Sequence, residues 1–170
     1  MVVPATAVDK VFHLPRGYRL LMSFFMSLAC FFPSAIALFL LIHDESTWIM
    51  AEVALHSILL VLFLRYWSLY SLTLSPSRIE YRAPVYRIRT TWDNIEAIAQ
   101  VGGWSRPVQG LLLRKAVGRY PLLGVLIALP RGDLARSIPV EIFAGKRWEN
   151  SAIGQEIRRH APRLMGLKTA

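Results

Sequence analysis

Residues 78–98 read RIEYRAPVYRIRTTWDNIEAI, and this stretch decides the fold class of the C-terminal half of the chain. Apolar and charged residues alternate at 78–82 and again at 86–91, on either side of a turn, Ala83-Pro84-Val85. Alternation with a period of two predicts strands with one buried face, and the intervening proline predicts a β-hairpin. The expected core side chains of this β-hairpin are Ile79, Tyr81, Ile88 and Trp92.

The opposite face of this predicted β-hairpin is basic. Side chains alternate along strands, so pairing the two runs puts four arginines beside Glu80: Arg78, Arg82, Arg87 and Arg89. Guanidinium groups match phosphate geometry, which favours a surface for anions or lipid headgroups. The alternative interpretation is a solvated face whose charges keep the sheet soluble. A second basic group is expected on loops, with the same two interpretations: Arg106, Arg114, Lys115 and Arg119.

The pattern of strands continues on both sides of the β-hairpin. Further strands are predicted at 70–74, 95–101, 110–114, 122–129 and 137–143, with a loop at 105–109 and a turn at 130–133. An amphipathic helix follows, with Trp148, Ile153, Ile157 and Leu164 on its apolar stripe and Glu149, Glu156, Arg158 and Arg159 in solvent. Pro162 is expected to end this helix. The predicted fold class is α+β: about seven antiparallel strands in a curved sheet or partly open barrel, capped by a C-terminal helix.

Two apolar segments precede this domain. The run LLMSFFMSLACFFPSAIALFLLI at 20–42 carries no charge and is long enough to cross the hydrocarbon core of a bilayer, about 30 Å. A second run, WIMAEVALHSILLVLFL at 48–64, is shorter and includes Glu52 and His56. The expected organisation is therefore a lead (1–19), a two-helix transmembrane hairpin (20–42 and 48–65, joined by a loop at 43–47), a domain (66–165) and a tail (166–170).

The distribution of charge predicts the orientation and the partner. The loop at 43–47 has no Lys or Arg, whereas Lys10, Arg16, Arg19 and Arg65 flank the other ends of the two runs. The positive-inside rule then puts both termini in the cytoplasm, as a two-pass protein of the cytoplasmic membrane. From Tyr66 onward the chain has 16 Lys and Arg against 7 Asp and Glu. The lipid bilayer and its anionic headgroups are thus the expected partner, and nucleic acid is disfavoured because the tether already holds the charge near lipid.

Glu52 and His56 are the ionisable residues within the two apolar runs. They are four residues apart, so they share a helix face. Ionisable residues in membrane helices are candidates for function, here a proton relay or half of a metal site. The alternatives are a hydrogen-bonded pair near the outer interface or a contact face for another membrane protein. Ser23 and Ser27 form a small-xxx-small pair that could serve such a contact equally.

The sequence offers no catalytic set. His13, His43, His56 and His160 are dispersed along the chain, and the single cysteine, Cys30, excludes a disulfide framework. Spacings typical of serine hydrolases, zinc proteases and phosphate-binding loops do not occur. We therefore expect a protein that is not an enzyme and has no cofactor or metal.

Three segments resemble the bacterial pleckstrin-homology-like domain family, some members of which carry two preceding membrane helices. These segments are LTLSPSRIE at 72–80, RIRTTWDNI at 87–95 and APRL at 161–164 in the closing helix. The resemblance covers about 66–164, although 102–120 is longer and more basic than the family pattern needs. It implies a bacterial membrane-anchored binding or scaffolding module that contacts anionic headgroups or a membrane protein. The alternative function is a small accessory or assembly subunit of a larger membrane complex.

Overall fold

The computed structural model describes residues 9–41, 45–84, 86–102, 106–119 and 136–165. The chain divides into two compact units, Pro15–Leu69 and a second unit made of Met1–Leu14 together with Tyr70–Ala170. The fold class is α+β: the first unit has two long apolar helices, and the second has antiparallel sheets of five and three strands.

The first unit consists of helices α1 (Arg16–Leu41) and α2 (Glu45–Ser68). Both helices are longer than predicted. The connection predicted at 43–47 is too long, because α2 begins at Glu45. Residues 42–44 lie outside the described residues. Each helix is long and apolar enough to cross a membrane by length and composition. Only 12% and 6% of their most apolar windows are buried, which distinguishes these helices from the core helices of a soluble protein.

The second unit begins before the helices. Strand β1 (Lys10–His13) pairs antiparallel with β2 (Ser71–Leu74), and the register joins Lys10 to Leu74 and His13 to Ser71. Continuing this register sets Leu14 opposite Tyr70, and both side chains are buried. In the order of the chain, the two helices are thus inserted between the paired strands β1 and β2. The sequence prediction treated this segment only as a lead and missed the strand.

The five-stranded sheet contains the β-hairpin predicted from residues 78–98. Its order is β1-β2-β3-β4-β7, where β3 is Ile79–Ala83, β4 is Tyr86–Thr90 and β7 is Gly118–Arg119. The predicted core is confirmed, since all four expected side chains are buried: Ile79, Tyr81, Ile88 and Trp92. Trp92 lies in a short 3₁₀ helix, Trp92–Asn94, and its indole N–H donates to the carbonyl of Ser75 at 2.9 Å.

The three-stranded sheet has the order β5-β6-β8, where β5 is Ile95–Val101, β6 is Val108–Leu113 and β8 is Ser137–Pro139. The loop predicted at 105–109 is too long, because β6 begins at Val108. The strand and turn predicted at 122–129 and 130–133 lie outside the described residues. Across the described ranges, two sheets replace the single curved sheet that was predicted, and they do not close into a barrel.

The strand predicted at 137–143 is wrong beyond Pro139. Residues Glu141–Ala144 form a helical turn, α3. The buried Glu141 carboxylate accepts from the backbone N–H of Gln109 at 2.8 Å and from Arg106 at 2.6 Å, and these hydrogen bonds stabilise the helical turn.

The C-terminal segment is helical, as predicted. A 3₁₀ helix, Trp148–Asn150, precedes α4 (Ala152–His160), and α5 (Pro162–Met165) follows the break before Pro162. The apolar stripe is confirmed, because its four side chains are at most 2% exposed: Trp148, Ile153, Ile157 and Leu164. The prediction for Glu156 is wrong. This residue is buried, since Lys10 of β1 donates to its carboxylate at 2.5 Å and His160 lies 3.5 Å from it.

Candidate anion-binding surface

The register of the five-stranded sheet sets three arginines in one row. Arg82 of β3 lies opposite Arg87 of β4, which in turn lies opposite Arg119 of β7. One row further along, Arg89 lies opposite Glu80. These residues alternate with the buried Tyr81 and Ile88, so they lie on the face of the sheet away from the core.

We call this surface the basic face and define it by Arg78, Arg82, Arg87, Arg89, Arg119 and Glu80. Arg78 comes just before β3 and approaches Asp9 at 3.7 Å. Of the four arginines predicted beside Glu80, the strand register includes Arg82, Arg87 and Arg89. Arg119 was expected on a loop within the second basic group. The structure instead places it in β7, where it extends the arginine row.

Glu80 lies at the centre of the basic face. Its carboxylate is 7% exposed and accepts from Arg82 Nε at 2.5 Å and from Arg87 Nη2 at 2.7 Å. Burial alone would raise the pKa of Glu80, but hydrogen bonds and charge from Arg87 and Arg82 outweigh burial and lower it. Glu80 therefore stays ionised and offsets part of the repulsion between two arginines that face each other across the strands.

The arginines of the basic face retain unused hydrogen-bond donors. The guanidinium side chains of Arg82 and Arg87 are 55% and 46% exposed, and a guanidinium has five N–H donors. Arg89 and Arg119 are exposed, and no ion pair found among the described residues includes either of them. Among the residues that the structure describes, these five arginines thus have two acidic partners, Glu80 and Asp9. This arrangement can accept an anion such as a phosphate group.

The second basic group does not form one cluster. Arg106 precedes β6 and pairs with Glu141, whereas Arg114 and Lys115 follow β6 at its other end. A strand of this length separates its two ends by roughly 20 Å. The Asn94 side chain bonds the backbone N–H and carbonyl of Lys115, so this turn is held while both of its basic side chains remain exposed.

The predicted pair of Glu52 and His56 lies on one face of α2. Glu52 Oε1 is 3.2 Å from His56 Nδ1 and accepts from Ser34 Oγ of α1 at 2.7 Å. In the part of the chain that the structure describes, no group of three or more His, Cys, Asp or Glu residues could hold a metal. Ser23 and Ser27 are also buried, so they are not exposed for contact with another protein.

Comparison of the chain with protein-family models, with curated proteins and with solved structures gives no match in any of the three.

Proposed function

We propose that the chain is a two-pass protein of the bacterial cytoplasmic membrane, with both termini in the cytoplasm, whose sheet unit binds anionic phospholipid headgroups. The observation that carries this proposal is the row of Arg82, Arg87 and Arg119 across three neighbouring strands. The protein acts by binding and not by catalysis.

The arginine row favours a ligand because like charges directly opposite each other destabilise a sheet. Glu80 accepts from Arg82 and Arg87, and Arg119 and Arg89 keep exposed guanidinium groups outside this ion pair. A phosphate oxygen offers the charge and the paired acceptor geometry that a guanidinium fork prefers. Each arginine near an anionic membrane surface contributes about 1 kcal/mol to binding, and this attraction falls off within a Debye length.

The helices support membrane attachment. Large apolar side chains on both helices are more than half exposed, among them Phe24, Phe39, Met50 and Val61. Burial of such surface in lipid is favourable at about 25 cal/mol per Å². Two residues join each helix to the sheet unit, Leu14 and Pro15 at one connection and Leu69 and Tyr70 at the other.

We also propose the pleckstrin-homology-like classification for the sheet unit. The order of antiparallel strands followed by a C-terminal helix supports it, as does the Trp92-Asp93 element directly before β5. The placement of β1 before the two helices is a departure from the arrangement that the resemblance implied, in which the whole domain follows the membrane helices.

A lipid titration tests the proposed function. The full-length chain in maltoside micelles is titrated with dioctanoyl phosphatidylglycerol or with dioctanoyl phosphatidylcholine, and binding is followed by thermophoresis at low and high salt. The proposal predicts tighter binding of phosphatidylglycerol, weakened by salt because the contacts are partly screened. Equal binding of the two lipids would refute it. If the two lipids bind equally and a stoichiometric protein partner remains bound through purification, the function as an accessory subunit of a membrane complex would replace the proposal of headgroup binding.

A further inference from the structure

The helical unit contains a cavity of about 370 Å³ between α1 and α2. Aromatic and aliphatic side chains form most of its wall, including Phe24, Leu28, Phe31 and Leu60. Glu52 and His56 also line it. The volume falls in the range of small-molecule sites, which are mostly apolar with a few polar groups that orient the ligand. From Phe24 to Phe31 the wall covers about 10 Å of helix, which suits a small molecule better than a partner helix.

The contacts of His56 indicate which of its two ring nitrogens donates a hydrogen bond. Nδ1 lies 3.0 Å from the backbone oxygen of Glu52 and 3.2 Å from Glu52 Oε1. Both neighbours are acceptors, so Nδ1 carries a proton and donates to them, and in the neutral form of this tautomer Nε2 is an acceptor. Within the described residues, Nε2 is buried and has no hydrogen-bond partner.

Glu52 adds a second buried acceptor. The residue is only 4% exposed, and Ser34 and His56 approach its Oε1 atom. Among the described residues, the other carboxylate oxygen, Oε2, is buried without a partner. A buried acceptor without a donor is destabilising, and more so when it is charged. The cavity therefore combines an apolar wall with two acceptors that lack donors.

We propose that this cavity binds a lipophilic ammonium ion, a small apolar molecule with a protonated amine. The ammonium N–H groups donate to Glu52 Oε2 and His56 Nε2, and the positive charge complements the carboxylate. Phe24 and Phe31 supply aromatic surface for the cation and the apolar body of the ligand. This binding is independent of the headgroup site, because it uses none of the arginines of the basic face.

The proposal is tested with three related probes on the full-length chain in maltoside micelles: phenylbutylammonium, phenylbutanol and trimethyl(phenylbutyl)ammonium. Calorimetric titration, with empty micelles as the blank, measures each affinity. Phenylbutylammonium should bind at least about tenfold more tightly than either of the other two probes. Phenylbutanol lacks the positive charge, and trimethyl(phenylbutyl)ammonium lacks N–H donors. Equal affinities for the three probes on the unaltered protein would overturn the proposal, without the need for any variant.

A substitution provides the second measurement. Glu52→Gln keeps the shape and removes the charge, and it should weaken phenylbutylammonium binding by about 10- to 100-fold while leaving phenylbutanol binding unchanged. The matched control is Ile58→Val, an exposed position on the same helix that does not line the cavity, and its affinities should equal those of the unaltered protein. Unchanged ammonium binding by Glu52→Gln would also overturn the proposal.

Discussion

Replacement of residues 15–69 by the dipeptide Asn-Gly should yield a soluble, folded sheet unit. The β1–β2 register ends at His13 and Ser71, and its continuation by one residue sets Leu14 opposite Tyr70, a geometry that a two-residue turn can join. Asn-Gly is the preferred sequence for such a turn, because both positions tolerate positive φ. The resulting chain keeps β1 and its Lys10–Glu156 ion pair, both of which a simple truncation at residue 66 would remove.

The contribution of β1 in this shortened chain can be estimated from Leu14. This side chain is 2% exposed, so Leu14→Ala should cost about 2–5 kcal/mol through lost burial and the remaining cavity. For a small domain each kcal/mol corresponds to about 4–8 °C, which predicts a fall in Tm of about 8–40 °C. Val11 of the same strand is 53% exposed, and Val11→Ala should change the stability by about 0.5 kcal/mol or less.

Thermal unfolding followed by circular dichroism measures both variants against the shortened chain. We expect one cooperative transition, with a large shift in Tm for Leu14→Ala and a small shift for Val11→Ala. An insoluble shortened chain, or equal transition temperatures for the two variants, would show that β1 does not belong to the sheet unit.

Three further substitutions test individual contacts of the sheet unit by denaturant unfolding. Because the pKa of Glu80 is lowered in the folded state, its contribution to stability is present above the unfolded-state pKa of 4.5 and is lost as the pH falls through the folded-state pKa. Glu80→Gln should therefore cost about 1–2 kcal/mol at pH 7 and make the stability less dependent on acid pH. An unaltered pH profile of stability would contradict this role of Glu80. Gly110→Ala should cost about 1–3 kcal/mol, because the new Cβ would lie 2.6 Å from Val101 Cγ2 and closer still to the carbonyl oxygen of Ile138; a neutral result would exclude this close approach. Trp148→Phe should lower the free energy of unfolding by about 1–3 kcal/mol, because the Trp148 indole donates to Gln109 Oε1 at 2.7 Å. The same substitution should cost less in a Gln109→Leu variant, which lacks the acceptor, and an equal cost in both backgrounds would contradict the pairing.

The local parts of the fold were predictable from the sequence. The strands around residues 78–98 alternate clearly, and their turn joins neighbours in the chain, so both the strand pairing and the basic face followed from periodicity. The apolar stripe of the last helix followed from helical spacing in the same way. The two long apolar helices followed from composition.

The features that the sequence did not predict depend on contacts between distant residues. Strand β1 is too short for a period to be visible, and its partner β2 follows two intervening helices. Glu156 lies on a position that helical spacing assigns to solvent, and it is buried because Lys10 comes from β1. Arg119 belongs to a strand of only two residues, and its pairing with Arg87 gives no local signal. The helical turn at Glu141 likewise depends on donors from Arg106 and Gln109.

The binding of anionic headgroups by the basic face is tested most directly by neutralising two of its arginines. Arg89→Gln combined with Arg119→Gln removes two charges that do not take part in the Glu80 ion pair, so the sheet should remain intact. The matched control is Arg147→Gln combined with Arg159→Gln, which makes the same change of charge at exposed positions outside the five-stranded sheet.

Phosphatidylglycerol titration of the full-length variants in maltoside micelles is the measurement. At about 1 kcal/mol for each arginine, the variant of the basic face should bind about 30-fold more weakly than the unaltered protein, whereas the control should change little. Equal losses in the two variants would mean that only net charge matters. No loss in either would leave the arginine row as a solvated surface, and both results would contradict the proposed headgroup site.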